Sequence, residues 1–219
     1  QGHQKHLKPI DPFASANAKI TTNTDESIEN HSTDRIQLFS WQQFLSSDEC
    51  RALCELADKQ VRPSSLTDKI DDKYYRTSET CDLAHQGDPL INKINEQMVE
   101  AIGFPKEWSE AIQIQRYNKG QQFKAHADYF RPGTTDFIKY TPSMGQRSWT
   151  CMVYLNDTEQ GGETEFVDLD IRFKPQAGTA LIWNNLKKDG RINPDTRHQA
   201  HPVTKGSKYV ITKWFRLGV

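Results

Sequence analysis

A histidine and an aspartate stand two positions apart in the segment FKAHADYF, at His126 and Asp128. Side chains at positions i and i+2 of a β-strand point to the same face. An imidazole and a carboxylate aimed into one cavity make two-thirds of a facial metal site, which a histidine from a later strand would complete. Such a site leaves coordination positions open on Fe(II), and this suits oxygenase chemistry. Alone, the pattern is weak, because it occurs by chance in many chains.

The segment TRHQAHPVTKGSK supplies candidates for a third ligand and for a cation that binds an anion. His198 and His201 lie three residues apart, as do Lys205 and Lys208. Residues three apart in an extended chain face opposite sides. The proline and glycine between the histidines and the second lysine remove any argument from strand parity. Spacing alone therefore does not decide which histidine binds the metal or which lysine binds the anion.

The final strand candidate, KYVITKWFR, places Lys208, Thr212 and Trp214 on one face. A lysine beside a threonine and a tryptophan indicates a face that lines a polar pocket. A solvated outer face with an extended lysine is an equally good interpretation.

The hydrophobic period changes from about four to two near residue 111. Ser46 with Glu49 predicts a capping box before one helix, and Asp88 and Gly103 bound a second. Alternating segments follow, namely AIQIQRY, SWTCMVYL, GTALIW and KYVITKWFR. This order predicts an α+β, mainly β fold, a jelly-roll sandwich or barrel with helices on one side.

The chain is predicted to form one domain over residues 35–219, preceded by a flexible or surface-draped polar arm over residues 1–34. The first letters, QGHQKH, lack Met and are typical of a tag remnant. Residues 131–147 are long and strand-poor, which is typical of a lid or substrate loop.

Composition restricts the possible partners. The net charge of −1 argues against a nucleic acid, and no apolar run is long enough to span a membrane. The four cysteines form no metal or disulfide pattern, which indicates free thiols. The cytoplasm is therefore favoured, and the endoplasmic reticulum is the alternative if an N-terminal anchor was removed. The oligomeric state stays open.

Eight short motifs, in order and with compatible spacing, resemble the prolyl 4-hydroxylase group of Fe(II)- and 2-oxoglutarate-dependent dioxygenases. They are FLSSDEC, RTS, HAD, GQR, YLND, GGETEF, NNLKKDG and RHQAHPVTKGSKYVITKWFR. The similarity runs from about residue 36 to the end and is strongest to short single-domain members from plants, algae, viruses and bacteria. It implies a double-stranded β-helix (jelly roll) core with flanking N-terminal helices.

The resemblance also implies the ligand set. In that family the distal histidine precedes the anion-binding lysine by ten residues, and His198 and Lys208 fit this spacing. The implied iron ligands are His126, Asp128 and His198, and His201 is left outside.

For the cosubstrate, the resemblance implies that Lys208 pairs with the distal carboxylate of 2-oxoglutarate, with Tyr117 and Thr164 as hydrogen-bond partners. With O₂, the cosubstrate would be decarboxylated to succinate and CO₂, and ascorbate would serve as reductant.

The implied substrate is a proline-containing peptide or protein. Arg76 and Ser78 match family positions on a loop over the peptide, Glu110 and Arg147 match positions in its groove, and Trp214 matches one near the target ring. Arg76 and Glu110 are equally well interpreted as ordinary surface charges.

Two departures from the family, Phe123 in place of a tyrosine and Arg216 in place of a histidine, bear on peptide specificity. Two alternatives stay open. One is the same oxygenase chemistry on a non-prolyl or small-molecule substrate, and the other is a non-catalytic or zinc-binding module of cupin type.

Overall fold

The computed structural model describes residues 7–64, 75–83 and 87–219, which contain three α-helices and fourteen β-strands. The helices are α1 (Ser47–Gln60), α2 (Pro89–Ile102) and α3 (Thr135–Met144). The strands are β1 (Ile28–Asn30), β2 (Leu38–Trp41), β3 (Arg62–Pro63), β4 (Glu79–Asp82), β5 (Gln113–Tyr117), β6 (Phe123–His126), β7 (Arg147–Tyr154), β8 (Gln160–Gly161), β9 (Thr164–Phe166), β10 (Ile171–Phe173), β11 (Ala180–Asn184), β12 (His198–Ala200), β13 (Val203–Lys205) and β14 (Lys208–Arg216).

The strands form antiparallel sheets. The major sheet has the order β1-β2-β11-β7-β14-β5-β4-β3, the minor sheet has the order β10-β9-β12-β6, and β13 pairs with β8. The mainly β, α+β prediction is therefore confirmed. The long central strands β7, β11 and β14 are the rigid elements from which a site between the two sheets can be built.

Strand parity divides the core into two clusters. On β7, Trp149, Cys151 and Val153 pack with the helices, while Met152 and Tyr154 pack with residues of the minor sheet. The alternation that predicted this strand thus separates a helix-facing side from a side that faces the second sheet. Both faces are buried, which fits the apolar run over residues 151–154 at the end of the strand.

Local capping chemistry defines the two N-terminal helices as predicted. At α1 the Ser46 side chain accepts from the backbone N–H of Glu49, whose carboxylate accepts from the backbone of Ser46. At α2 the Asp88 side chain accepts from Leu90, and Gly103 ends the helix with a φ of 77°. The apolar stripe of α2 is buried in the core shared with the major sheet.

The segment 131–147 departs from the sequence-based expectation of an open loop, because α3 occupies most of it. The loop interpretation rested on the length of the segment and on its lack of a strand pattern. In the structure, the Thr134 side chain caps the helix by accepting from Phe137 N, and Pro142 sits near its end. Arg216, far along the chain, donates to carbonyls at the other end. That long-range contact leaves no local signal.

The polar segment before residue 35 also needs correction over its described part, residues 7–34. It was expected to be a flexible or surface-draped arm, but Ser15, Ala18 and Ile20 are buried. The Trp149 indole donates to the Ser15 carbonyl at 2.7 Å, and β1 pairs with β2 in the major sheet. A few small or apolar residues are enough to anchor a polar stretch.

No helix formed by the described residues has the length and apolar character needed to cross a bilayer. All four cysteines carry free thiols, as their spacing predicted.

Candidate metal centre

The three side chains predicted as iron ligands meet at one edge of the minor sheet. His126 is the last residue of β6, and Asp128 lies two residues further along the chain. His198 is the first residue of β12 and pairs directly with His126 in the register. Asp128 Oδ1 lies 3.6 Å from His126 Nε2 and 3.8 Å from His198 Nε2. Within residues 7–64, 75–83 and 87–219, this is the one cluster of such donors close enough to share an ion.

Hydrogen bonds fix which ring nitrogen is available to a metal. His126 Nδ1 donates to the Lys124 carbonyl at 2.8 Å, and His198 Nδ1 donates to the Thr196 carbonyl at 2.9 Å. A carbonyl only accepts, so each Nδ1 carries a hydrogen, and in the neutral ring Nε2 is then the nitrogen with the lone pair that a metal can use. Both free lone pairs therefore face the Asp128 carboxylate.

The charge states also suit a cation. Burial and the neighbouring His198 lower the pKa of His126 to about 3, so its imidazole is neutral at neutral pH. Burial alone would raise the pKa of Asp128, but His198, His126 and Arg147 together lower it. Two imidazole nitrogens and one carboxylate fit a divalent ion such as Fe(II) and leave further coordination positions for other ligands.

Aromatic rings hold the two imidazoles in place. Phe123 stacks on His126 with ring centroids 3.5 Å apart, and Trp183 meets His198 edge-on at 4.8 Å. Phe123, noted as a departure from the family, is therefore a packing partner of a ligand.

A cavity of about 280 Å³ extends from the triad between the sheets. Lys208 is 1% exposed and lines it, with Nζ 5.1 Å from the Tyr117 ring centroid and 5.6 Å from that of Tyr154. Burial lowers the pKa of Lys208 to about 7. No hydrogen bond or ion pair from its ammonium is found among the described residues. A buried cation of this kind favours an anionic ligand.

Thr164 lines the same cavity, and its Oγ1 accepts from the Tyr154 hydroxyl at 2.6 Å. The preceding glycine turn lets the backbone approach Lys208. At Gly162, with a φ of 75°, a Cβ would lie 3.2 Å from Lys208 Cδ. Thus Lys208, Tyr117 and Thr164 share one cavity with the three metal-binding candidates.

The wall of the cavity also carries a charged cluster that includes Glu110 and Arg147. Arg147 binds Glu110 through two hydrogen bonds of 2.7 Å, and Arg216 binds the same carboxylate at 2.8 Å. Burial would raise the pKa of Glu110, but the two guanidinium groups lower it overall. Arg147 also lies over the Trp214 ring, 4.3 Å from its centroid. Glu110 is therefore a partner of two arginines and not an ordinary surface charge.

Arg76 lines the cavity and lies over Phe123, 4.7 Å from the ring centroid. Ser78 does not line the cavity. It is buried, and its hydroxyl accepts from Arg76 Nε at 3.2 Å. Residues 65–74, which precede Arg76 and Ser78 on the loop expected to lie over a peptide, fall outside the described residues.

The other histidine and lysine of the segment TRHQAHPVTKGSK contact residues outside the cavity. His201 Nε2 lies 2.5 Å from Glu165 Oε2, and Lys205 pairs with Glu159 at 2.8 Å. Neither lines the cavity. The choice of His198 and Lys208, which local spacing had left open, agrees with the tertiary structure.

The sequence interpretation missed several supporting residues. Thr150, Asn185 and Trp183 are buried beside the triad and hydrogen-bonded in series. One signal was available, because Thr150 shares strand parity with Met152 and Tyr154 and, like Ser148, is a polar residue on that face of the strand.

Comparison with known proteins gives concordant matches. Residues 112–216 match the model of the 2OG-Fe(II) oxygenase superfamily. "Probable prolyl 4-hydroxylase 3" of Arabidopsis thaliana is 30% identical over 203 residues, covering 82% of this chain and 69% of the relative. The Gallus gallus prolyl 4-hydroxylase subunit alpha-2 is 30% identical over 191 residues, covering 85% of this chain and 35% of the relative. The chain thus spans about a third of that subunit.

Among solved structures, the viral collagen prolyl hydroxylase of Paramecium bursaria Chlorella virus-1, determined as a 2OG complex, superposes with a TM-score of 0.65. It is 27% identical, and the match covers 82% of this chain and 95% of that one. The match identifies the two facing sheets as the predicted double-stranded β-helix.

Proposed function

Because the chain belongs to the prolyl 4-hydroxylase-like members of the 2OG-Fe(II) oxygenase superfamily, we propose that this dioxygenase hydroxylates prolyl residues of a peptide or protein. The observation that carries the proposal is Lys208, a fully buried cation in the same cavity as the triad of His126, Asp128 and His198. One cavity therefore offers a metal site and an anion site together.

Each residue of the cavity has a role in binding. His126, Asp128 and His198 would hold Fe(II), which together with 2-oxoglutarate and O₂ would supply the oxidising chemistry, with succinate and CO₂ as the cosubstrate products. Lys208 pairs with the distal carboxylate of 2-oxoglutarate through charge-assisted hydrogen bonds. The hydroxyls of Tyr117 and Thr164 complete its hydrogen bonding, and the buried walls exclude water.

The substrate groove uses the charged cluster. Glu110 holds Arg147 in a two-point contact, so the guanidinium stays in one plane against Trp214. A planar cation and an indole ring together suit a peptide segment that offers carbonyl acceptors and a compact apolar ring. Arg76, which donates a hydrogen bond to Ser78, also borders the cavity.

Turnover of a library of proline-containing peptides with Fe(II), 2-oxoglutarate and ascorbate as reductant tests this function. We expect succinate formation together with a mass gain of one oxygen located on proline, and no such gain in matched peptides with alanine in place of proline. Succinate without modified peptide would redirect the assignment to a non-prolyl or small-molecule substrate. Absence of any succinate would contradict the oxygenase assignment of the cavity.

A further inference from the structure

We propose that Thr150 and Asn185 are positioning residues that hold Asp128 as a one-oxygen metal ligand and couple it to the ring of His198. The inference rests on the metal site of the proposed function. It concerns a buried chain of three hydrogen bonds behind the triad. The chain runs from Trp183 through Asn185 and Thr150 to Asp128.

The direction of this chain is fixed from its start. The Trp183 indole N–H only donates, and Asn185 Oδ1 accepts it at 3.0 Å. The amide nitrogen of Asn185 must then face Thr150, and it donates to Oγ1 at 2.9 Å. Since Thr150 receives that hydrogen bond, its own hydroxyl proton is free to donate to Asp128 Oδ2 at 2.8 Å.

The carboxylate oxygens therefore have different tasks. Oδ1 faces Nε2 of both His126 and His198, while Oδ2 accepts from the Thr150 hydroxyl. This arrangement prevents the carboxylate from rotating to present both oxygens to the metal. A two-oxygen ligand would take a position that 2-oxoglutarate or O₂ needs.

The chain also joins two ligands that come from different parts of the sequence. Trp183 donates at one end of the chain and packs edge-on against His198 at 4.8 Å. Trp183 and Thr150 are direct register partners on β11 and β7, and both are buried. Asn185 is anchored by its backbone, which donates to the Ser148 carbonyl at 2.6 Å. Because Trp183 packs against His198 and is linked through hydrogen bonds to Asp128, a displacement of either metal-binding side chain would disturb the contacts of the other.

Metal affinity of the apoprotein tests the proposal without turnover. Mn(II) is titrated into each variant, and free aqueous Mn(II) is followed by electron paramagnetic resonance. We expect Thr150→Val, which keeps the side-chain shape, to weaken Mn(II) binding by about 10- to 100-fold. Thr150→Ser, which retains the hydroxyl, should restore most of the affinity. Asn185→Leu should also weaken binding, and the double variant Thr150→Val/Asn185→Leu should be little weaker than Thr150→Val alone.

The matched control is Ser148→Ala on the same strand. Ser148 is equally buried, but its hydroxyl donates to the Phe215 carbonyl and does not enter the chain. We expect this variant to bind Mn(II) like the wild type, and thermal unfolding of every apoprotein verifies that it is folded. Unchanged affinity in Thr150→Val, or an equal loss in Ser148→Ala, would overturn the inference alone. A wild-type protein that binds no Mn(II) would overturn the metal site and the inference with it.

Discussion

Whether a histidine can bind the metal depends on which ring nitrogen has a free lone pair and on whether that nitrogen faces the other metal-binding side chains. His198 and His201 are three residues apart, but only His198 presents a lone pair to Asp128, because its other nitrogen donates to a backbone carbonyl. His201 instead contacts Glu165, outside the cavity. His201 can therefore serve as a control for His198, because it is a histidine close in sequence that does not face the metal site.

We predict that His198→Ala abolishes succinate formation and Mn(II) binding, whereas His201→Ala retains both within about threefold, as expected of a residue that touches no ligand. Coupled assays of succinate and titrations of the apoprotein measure the two effects. The reverse pattern would show that the wrong histidine has been assigned to the metal.

Without a bound anion, the buried ammonium of Lys208 lowers the free energy of unfolding. Its pKa of about 7 in the fold lies below the 10.5 of an exposed lysine, so the unfolded chain binds more protons between these values. The destabilisation is therefore fully present below pH 7 and shrinks as pH rises toward 10.5. Stability and cosubstrate binding place opposite demands on this residue.

Lys208→Met should accordingly stabilise the apoprotein by about 2 kcal/mol at pH 6 and by less at pH 9. The same change should weaken 2-oxoglutarate binding by about 100-fold, because a buried carboxylate loses its partner. Urea unfolding and calorimetric titration measure the two quantities. Lys205→Met, at an exposed lysine, should change neither. A destabilised Lys208→Met apoprotein would refute the unpaired-cation interpretation.

At the scale of elements, α3 depends on a distant strand. Arg216 on β14 donates to the Tyr140 carbonyl at 2.5 Å and to the Gly145 carbonyl at 2.9 Å, and it also binds Glu110. One side chain therefore ties the end of α3 to the Glu110–Arg147 pair.

We predict that Arg216→Met raises the KM for a peptide substrate about tenfold and leaves the KM for 2-oxoglutarate unchanged, because the proposed function assigns the charged cluster to substrate binding. Steady-state kinetics with each substrate varied in turn gives the comparison. The control Arg191→Met removes an exposed arginine that pairs with Asp189 and should leave both constants as they are. An equal rise in both KM values would show that Arg216 supports the structure of the whole cavity and does not act on peptide binding in particular.

The elements that the sequence predicted well are those with local causes. The capping box of α1, the Asp88 and Gly103 boundaries of α2 and the alternation along β7 and β14 all depend on residues within a few positions of one another. The helix α3 was missed because part of what holds it comes from Arg216, more than 70 residues away.

At the scale of the whole molecule, the segment before residue 35 completes the core. Ile20 is 1% exposed and belongs to the same cluster as the α2 stripe, while Phe13 in the same segment is 63% exposed. Polar composition alone would have treated both as parts of one solvated arm.

Ile20→Ala should lower the free energy of unfolding by about 2 to 4 kcal/mol, because it leaves a cavity under the sheet. Phe13→Ala removes a larger side chain but should cost less than about 0.5 kcal/mol. Thermal and urea unfolding of the two variants measures this difference in the free energy of unfolding. Similar, small effects for both would restore the view of the segment as a loosely attached arm.

The sequence by itself determined the caps, the strand parity, the identity of the first two ligand candidates and, through its resemblance to a family, the selection of His198 and Lys208. Those inferences need only short-range geometry or an ordered set of motifs. The tertiary structure decided what depends on register between distant strands. It placed His198 opposite His126 across β12 and β6, and it aligned Thr150 with Trp183 across β7 and β11. Side chains that sequence separates by dozens of residues become neighbours only when the sheets form, and the hydrogen bonds behind the metal site follow from that pairing.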